Sequence, residues 1–410
     1  MAQPLSLQDG PKALDGVRVL DLTSVIMGPV CTQILGGYGA QVVKIEPPEG
    51  DIMRHAGAQC APGMGAMFVH ANHYKKSVVI DLKSEQGRDL LWQMIPEYDV
   101  FVHNIRRDAM ERLGLGYEAL RAARPDVVYV ALGGYSDDGP YAGRPAYDDI
   151  IQAQAGLASL YARQTGNEPA YVPSLIVDRL TGIAAAHRVL AALLRRHACG
   201  TGEYINVSMF ETLAELVLSD HLGGKTLDPD GGDTGYSRLL TRHRRPYRTR
   251  DGYIAAVVYN DKHWKAFLDL AGEPEKLADD RYGSAAGRAR NYDVVYEYLA
   301  DTFQGGTTNY WIAALTRAQI PCARVNDVAT LAADPQLRAT GLLRAYTHDS
   351  LGVSLQAINK NAAHPDYSPP EKGAHTVQVL AGHGLAQPAI DALLANQVVH
   401  DGRRQWVLEK

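Results

Sequence analysis

No stretch of this sequence approaches the ~18 consecutive apolar residues that a membrane-crossing helix needs, so no such helix is expected. The opening residues, MAQPLSLQDGPK, lack the charged-then-apolar pattern of a signal peptide. The four cysteines (Cys31, Cys60, Cys199 and Cys322) are widely spaced and form no CxxC pair. That argues against a zinc site or a disulfide framework and fits free thiols in a reducing compartment. Neither sign of charge dominates. A net charge of −5 over 410 residues gives no electrostatic case for nucleic acid, and basic residues are scattered apart from RHRRPYR at 242 to 248. The common catalytic signatures are also missing. GGYGA (36 to 40) does not continue into GxGxxG, and there is no GxxxxGK[ST], GxSxG or HExxH. A Rossmann-type cofactor, a P-loop, a serine-hydrolase elbow and a zincin site are therefore unsupported.

What is present is alternation. GVRVLDLT (16 to 23) reads as a strand, MGPVCTQILGGYGA (27 to 40) as a helix and QVVKIEPP (41 to 48) as a strand ended by two prolines. Such a βαβ unit implies a parallel sheet. SVVIDL (77 to 82), DVFVHN (99 to 104) and DVVYVALGGY (126 to 135) continue the strands, and DIIQAQAGLASL (149 to 160) reads as one helix. The pattern predicts a doubly wound α/β domain. The Gly/Asp-rich stretch from 222 to 240 reads as a linker, and YRTRDGYIAAVVYN (247 to 260) as a hairpin with a DG turn. The predicted divisions are a large α/β domain over 1–220, a linker over 221–240, a small α+β domain over 241–330, and a return segment over 331–410.

YVPSLIVDRLTGIAAAHRVLAALL (171 to 194) reads as a strand entering an Ala-rich helix whose apolar face is Leu180, Ile183, Leu190, Leu193 and Leu194. Asp178 sits at the junction. It can be an N-cap, since Asp is favoured there. The cap is the leading reading of this stretch alone; the other is a nucleophilic carboxylate at the C-terminal end of a strand, where α/β sheets bind ligands, and the two roles can coexist. The YDD carboxylates (147 to 149) read as a solvated loop, and His187 and His375 as packed or solvated side chains. Composition and spacing alone reach a cytoplasmic α/β enzyme with an unassigned site.

Several segments together resemble the class III coenzyme A transferases, the CaiB–BaiF or formyl-CoA transferase type. They are LDGVRVLDLTSVIMGPVCTQILGGYGAQVVKIEPPEGDIMR (14 to 54), NHYKKSVVIDLK (72 to 83), HNIRRDAMERLGLGYEAL (103 to 120), GGYSDDGPYAGRPAYDDIIQAQAGL (133 to 157), VDRLTGIAAAHRVLAALLRRHACGTGEYINVSMFE (177 to 211), IPCARVND (320 to 327) and GAHT (373 to 376). Their order and spacing are specific although no single motif is decisive.

The resemblance implies that Asp178 is the catalytic carboxylate, ionised at neutral pH with an ordinary pKa of ~3.9. It would pass through a mixed anhydride and an aspartyl-CoA thioester. Val25, Lys75, Asn104, Ile105, Arg112 and Tyr135 match the family's CoA-contacting segments, with Lys75 and Arg112 expected to meet the nucleotide phosphates. Coenzyme A or its acyl ester is implied as substrate, with no permanently bound cofactor, no metal and no nucleic-acid or membrane partner. The partner substrate is a small carboxylate, with succinyl-CoA a reasonable donor, and the expected assembly is an interlocked homodimer.

The chain also departs from the family pattern. Ile26 or a neighbour stands where the formyl-CoA transferase has a glutamine, Gly133 replaces its lysine, and its tetraglycine loop has no counterpart. Oxalate and formyl-CoA are therefore not expected as substrates. Arg242, Arg244 and Arg245 could meet an acidic acceptor or form a solvated strand edge. Two rival readings go with the same fold. An α-methylacyl-CoA racemase would need a histidine where Tyr147 stands, and a non-catalytic CoA-binding relative would bind without exchange.

Overall fold

The structure, a computed structural model, describes residues 12–358 and 368–402. Six strands come first along the chain: β1 (Arg18–Leu22), β2 (Gln41–Glu46), β3 (Lys75–Ile80), β4 (Val100–His103), β5 (Val128–Gly133) and β6 (Glu203–Ser208). All pair in parallel, in the spatial order β3-β2-β1-β4-β5-β6. Their near-continuous Val, Ile and Leu runs suit strands covered on both faces. Leu20, Ile45, Val78, Phe101 and Tyr129 lie in the main core. Strand order reverses between β1 and β4, which places the topological switch point of a doubly wound sheet there.

Three helices matter for the site: α1 (Met27–Gly37), α2 (Asp148–Gln154) and α3 (Ile176–Cys199). The strand expected before Asp178 does not form. Pro173 lacks an N–H for a ladder. Gln152 of α2 takes the backbone on both sides of it, accepting from Val172 N at 2.8 Å and donating to the Val172 and Ser174 carbonyls at 3.3 and 3.4 Å. The helix expected over 149 to 160 is two helices, because Gly156 turns left-handed with φ 90° and ends the first of them.

The apolar face expected for α3 is also corrected. Ile183 and Leu194 are 54% and 72% exposed, while the buried face is Val177, Thr181, Gly182, Ala185, Ala186, Val189 and Ala192. The reason is the close approach of α1: a Cβ on Gly182 would lie 2.6 Å from the Met27 carbonyl oxygen.

The chain divides into two compact units. The first runs to Ala155, takes Val172–Ala214 and resumes at Leu337; the second is Gly156–Tyr171 with Glu215–Gln336. The stretch expected to be a linker thus belongs to the second unit, where Gly224 N donates to Asp233 O at 2.8 Å and closes the loop on itself. The second unit holds a three-stranded antiparallel sheet of β7 (Tyr247–Arg248), β8 (Tyr253–Ala256) and β9 (Cys322–Arg324), with the expected hairpin at Asp251-Gly252. Trp264, Phe267, Phe303 and Trp311 fill its core.

Back in the first unit, β10 (Leu343–Thr347) and β11 (Ser354–Ile358) form a separate hairpin. β12 (Val399–His400) then adds antiparallel to β3 and covers that edge of the large sheet. Among the described residues no helix is long and apolar enough to cross a membrane.

Candidate active site

A cavity of about 580 Å³ opens beyond the C-terminal ends of β1, β4 and β5, at the switch point. Ser24 and Val25 line it after β1, His103 to Arg107 after β4, and Gly133 to Tyr135 after β5; Tyr147 and Asp178 complete the wall near α3. Four of the residues expected to contact CoA are therefore together: Val25, Asn104, Ile105 and Tyr135.

Val25 has φ 70°, a left-handed conformation that a β-branched residue adopts only under constraint. The constraint is visible. Asn104 holds Ser24 on both sides, accepting from its N–H at 2.9 Å and donating to its carbonyl at 2.8 Å. Asp51 accepts the Val25 N–H at 3.2 Å. Behind them Lys44 pairs with Asp51 at 2.9 Å and donates to the Thr23 carbonyl at 2.6 Å, all out of contact with water.

Asp178 is the third residue of α3 and is 9% exposed. It does not cap the helix. Asp148 does: its Oδ2 accepts the Val177 and Asp178 N–H groups at 2.8 and 2.9 Å, and its Oδ1 accepts from Gln152 at 2.7 Å. Asp148 is 3% exposed and opens α2, so the solvated loop expected over 147 to 149 is corrected at Asp148, while Tyr147 and Asp149 are exposed. Burial, helped by the neighbouring Asp148 charge and opposed by Arg179, pushes Asp178 up to about 6. The ordinary value expected from sequence does not hold. At pH 7 the group is still about nine-tenths carboxylate.

Lys75 and Arg112 do not meet the cavity. The Lys75 ammonium is enclosed, bonded to Asp21 Oδ2 at 3.1 Å, the Pro29 carbonyl at 3.0 Å and Asn72 Oδ1 at 2.9 Å. Burial lowers it to about 8 while Asp21 pulls the other way. The ammonium is thus a structural charge, with its donors already committed. Arg112 is exposed at the end of the short helix Arg107–Arg112, away from the lining.

The cations that do line the cavity are Arg106, Arg107 and Arg144. Sequence reasoning missed them, although Arg106 and Arg107 lie within the quoted segment 103 to 120, directly after Asn104 and Ile105. It also missed an aromatic wall of Tyr117, Tyr129 and Tyr204, with ring centroids 5.2 to 5.7 Å apart. His103 is held neutral by burial, its pKa lowered to about 4, and its Nδ1–H donates to the Ile105 carbonyl at 3.0 Å. Tyr135 donates to Gln154 at 2.5 Å. Arg242, Arg244 and Arg245 belong to the second unit and are not part of this lining. Among the described residues no cluster of His, Cys, Asp and Glu could hold a metal ion.

A cavity at the switch point of a doubly wound sheet, with one buried carboxylate, Asp178, and three arginines among its lining residues, suits an anionic ligand and nucleophilic chemistry. The comparisons agree. The model of CoA-transferase family III matches residues 14–376, and the chain belongs to that family: it is a CoA-transferase of the CaiB/BaiF type. It is 29% identical to the (R)-2-hydroxy-4-methylpentanoate CoA-transferase of Clostridioides difficile, over 94% of this chain and 99% of that one. It is 30% identical to the succinate–glutarate CoA-transferase of Agrobacterium fabrum, over 90% and 95%. A crystal structure of a CAIB/BAIF family protein from Brucella suis superposes with a TM-score of 0.75 at 25% identity, covering 91% of this chain and all of that one.

Proposed function

We propose that this enzyme moves coenzyme A from an acyl-CoA donor, succinyl-CoA for example, to a small dicarboxylic acid, with Asp178 as the covalent nucleophile. The observation that carries the reading is the placement of Asp178: a single buried carboxylate in the cavity wall, its backbone fixed by Asp148 and its side chain destabilised as an anion.

Asp178 attacks the thioester carbonyl of the donor. The C–S bond breaks, CoA thiolate leaves, and an acyl–aspartyl anhydride remains. The thiolate then attacks the aspartyl carbonyl and expels the donor acid as its carboxylate, leaving an aspartyl-CoA thioester. The acceptor carboxylate attacks that carbonyl and releases thiolate again. Attack of the thiolate on the acceptor's acyl carbon makes the new CoA ester and returns Asp178 as a carboxylate. No net proton is gained or lost.

Desolvation suits this cycle, because a carboxylate raised to about 6 is a better nucleophile than an ordinary one and is still ionised at neutral pH. Two of the N–H groups at the start of α3 are taken by Asp148, so oxyanion donors must come from elsewhere in the wall. In this reading Arg106 and Arg107, which line the cavity, meet the phosphates of CoA, and the Tyr117, Tyr129 and Tyr204 rings offer stacking surface. Tyr147 puts a phenol rather than an imidazole in the wall, which favours transfer over a racemase's proton abstraction.

The reading includes a homodimer, supported by the apolar Ile183 and Leu194 that α3 leaves exposed. It also includes a cytoplasmic location, supported by four free thiols.

The test is mass spectrometry of purified enzyme with succinyl-CoA and a panel of unlabelled acids. A new acyl-CoA formed with a diacid supports the reading. No new ester with any acid, combined with deuterium uptake at C2 of a branched acyl-CoA, would replace it with racemisation.

A further inference from the structure

When a carboxylate attacks a thioester, negative charge gathers on the carbonyl oxygen, and a donor already aimed at that place lowers the barrier. The nearest backbone donors of the wall are spent. Asp148 Oδ2 accepts the Val177 and Asp178 N–H groups at 2.8 and 2.9 Å. After β1, the Ser24 N–H goes to Asn104 at 2.9 Å and the Val25 N–H to Asp51 at 3.2 Å.

The wall also carries hydroxyls, on Ser24, Tyr117, Tyr129, Tyr135, Tyr147 and Tyr204. Three of them are committed. Tyr129 donates to the Leu115 carbonyl at 2.9 Å, Tyr135 to Gln154 at 2.5 Å, and Tyr204 to Asp137. Among the described residues those of Ser24, Tyr117 and Tyr147 have no hydrogen-bond partner. Tyr117 stands in the aromatic wall, its ring centroid 5.2 Å from that of Tyr204, and Ser24 follows β1.

Tyr147 is the one joined to the support of Asp178. It directly precedes Asp148, the residue that holds the Asp178 N–H. Adjacent Cα atoms are about 3.8 Å apart, so the phenol and the Asp178 carboxylate share one end of the cavity. The Tyr147 backbone is pinned on both sides. Before it, Ala146 rests on the end of β5, where a Cβ on Gly134 would come 2.3 Å from the Ala146 Cβ. After it, the Tyr147 carbonyl accepts the Ile151 N–H at 3.2 Å as α2 begins. The side chain is 72% exposed. A fixed backbone with a free phenol at its tip keeps that O–H for a ligand instead of the protein.

We propose that Tyr147 is a catalytic residue whose hydroxyl donates a hydrogen bond to the thioester carbonyl oxygen as Asp178 adds to the carbonyl carbon. This rests on the transferase reading above. The new C–O bond drives the carbonyl electron pair onto oxygen, where the phenol meets it and keeps its own proton. Return of that pair re-forms the carbonyl and breaks the C–S bond, and thiolate leaves.

The experiment uses the full-length enzyme and follows the exchange of labelled succinate into succinyl-CoA, within a panel of labelled acids and their CoA esters. Tyr147→Phe, which keeps the ring and removes only the hydroxyl, is compared with the wild type, and thermal melts are recorded for both. Tyr147→Phe is expected to lower kcat for exchange about a hundredfold. The KM for the CoA ester should stay within about twofold, because the interaction exists only in the transition state. The melting temperature should not move, because the hydroxyl makes no bond to the protein. Exchange near the wild-type rate, or a loss confined to KM, would overturn the assignment and leave the transferase reading standing. A Tyr147→Phe enzyme melting well below the wild type would also overturn it, by showing that the hydroxyl serves the fold. A wild type that exchanges none of the acids would overturn both the transferase reading and the role given to Tyr147.

Discussion

Asp148 and Asp178 are tied through one oxygen: Asp148 Oδ2 accepts the Asp178 backbone N–H at 2.9 Å while its charge raises the Asp178 side chain. One residue thus fixes where the proposed nucleophile stands and tunes how readily it ionises. Both effects follow from two carboxylates being buried at the same helix N-terminus, where the helix dipole makes such charges tolerable.

The first prediction concerns pH. Asp178 must be ionised to attack, and burial together with Asp148 raises it to about 6. The rate of anhydride formation should be flat above pH 7 and fall about tenfold per unit well below pH 6. Single-turnover kinetics with succinyl-CoA across pH 4.5 to 8, on the order of half-unit steps, measure this. A limb centred near pH 4 would show that the environment does not shift the group.

The same shift has a cost in stability. The folded pKa of Asp178, about 6, lies above the ordinary aspartate value of ~3.9. Its stabilising contribution is therefore complete below the unfolded value and lost as pH rises through the folded one. Asp178→Asn should abolish exchange yet exceed the wild type in stability above pH 7, by up to about 3 kcal/mol, with the gap closing near pH 3. Urea melts at the two pH values decide it. Wild-type exchange by Asp178→Asn would remove Asp178 as the nucleophile.

Asp148 separates position from charge. Asp148→Asn keeps an oxygen for the α3 N–H groups but removes the charge, so the acid limb should move to lower pH with little loss of stability. Asp148→Ala loses the cap as well and should cost about 1–2 kcal/mol. Thermal melts and pH–rate profiles of both variants check this. Identical behaviour of the two would mean that the cap contributes nothing.

The arginine doublet and Lys75 should behave in opposite ways. Arg106→Gln with Arg107→Gln should raise KM for the CoA ester about tenfold, with a weaker salt dependence and an unchanged melting temperature. Lys75→Met strips a fully buried Asp21 of its ion-pair partner and should cost about 3–5 kcal/mol of stability. Arg112→Gln should change neither. A raised KM for Arg112→Gln in steady-state assays would restore that residue to the phosphate site.

The strand–helix alternation of the first 215 residues was legible because periodicity and turn chemistry are local. β1 to β5 and α1 lie where the pattern places them within a few residues. Asp178 was locally ambiguous: any Asp before an Ala-rich helix reads as a cap. What singled it out was the ordered resemblance of many segments. The apolar face of α3 was misassigned because hydrophobicity points to the large side chains, whereas close packing on α1 demanded the small ones.

By itself, then, the sequence determined the elements, the doubly wound class and the family, all of which depend on residues near one another in the chain or on a pattern carried in order along it. Only the tertiary structure decided which charges line the cavity and which are locked into buried pairs and caps. Lys75 reads like any phosphate-binding lysine until Asp21, 54 residues away, is seen to hold it. Asp148 reads like a loop carboxylate until it is found capping a helix 30 residues later. Solvation and pairing set the energy of a charge, and both are properties of neighbours in space, which a linear sequence does not specify.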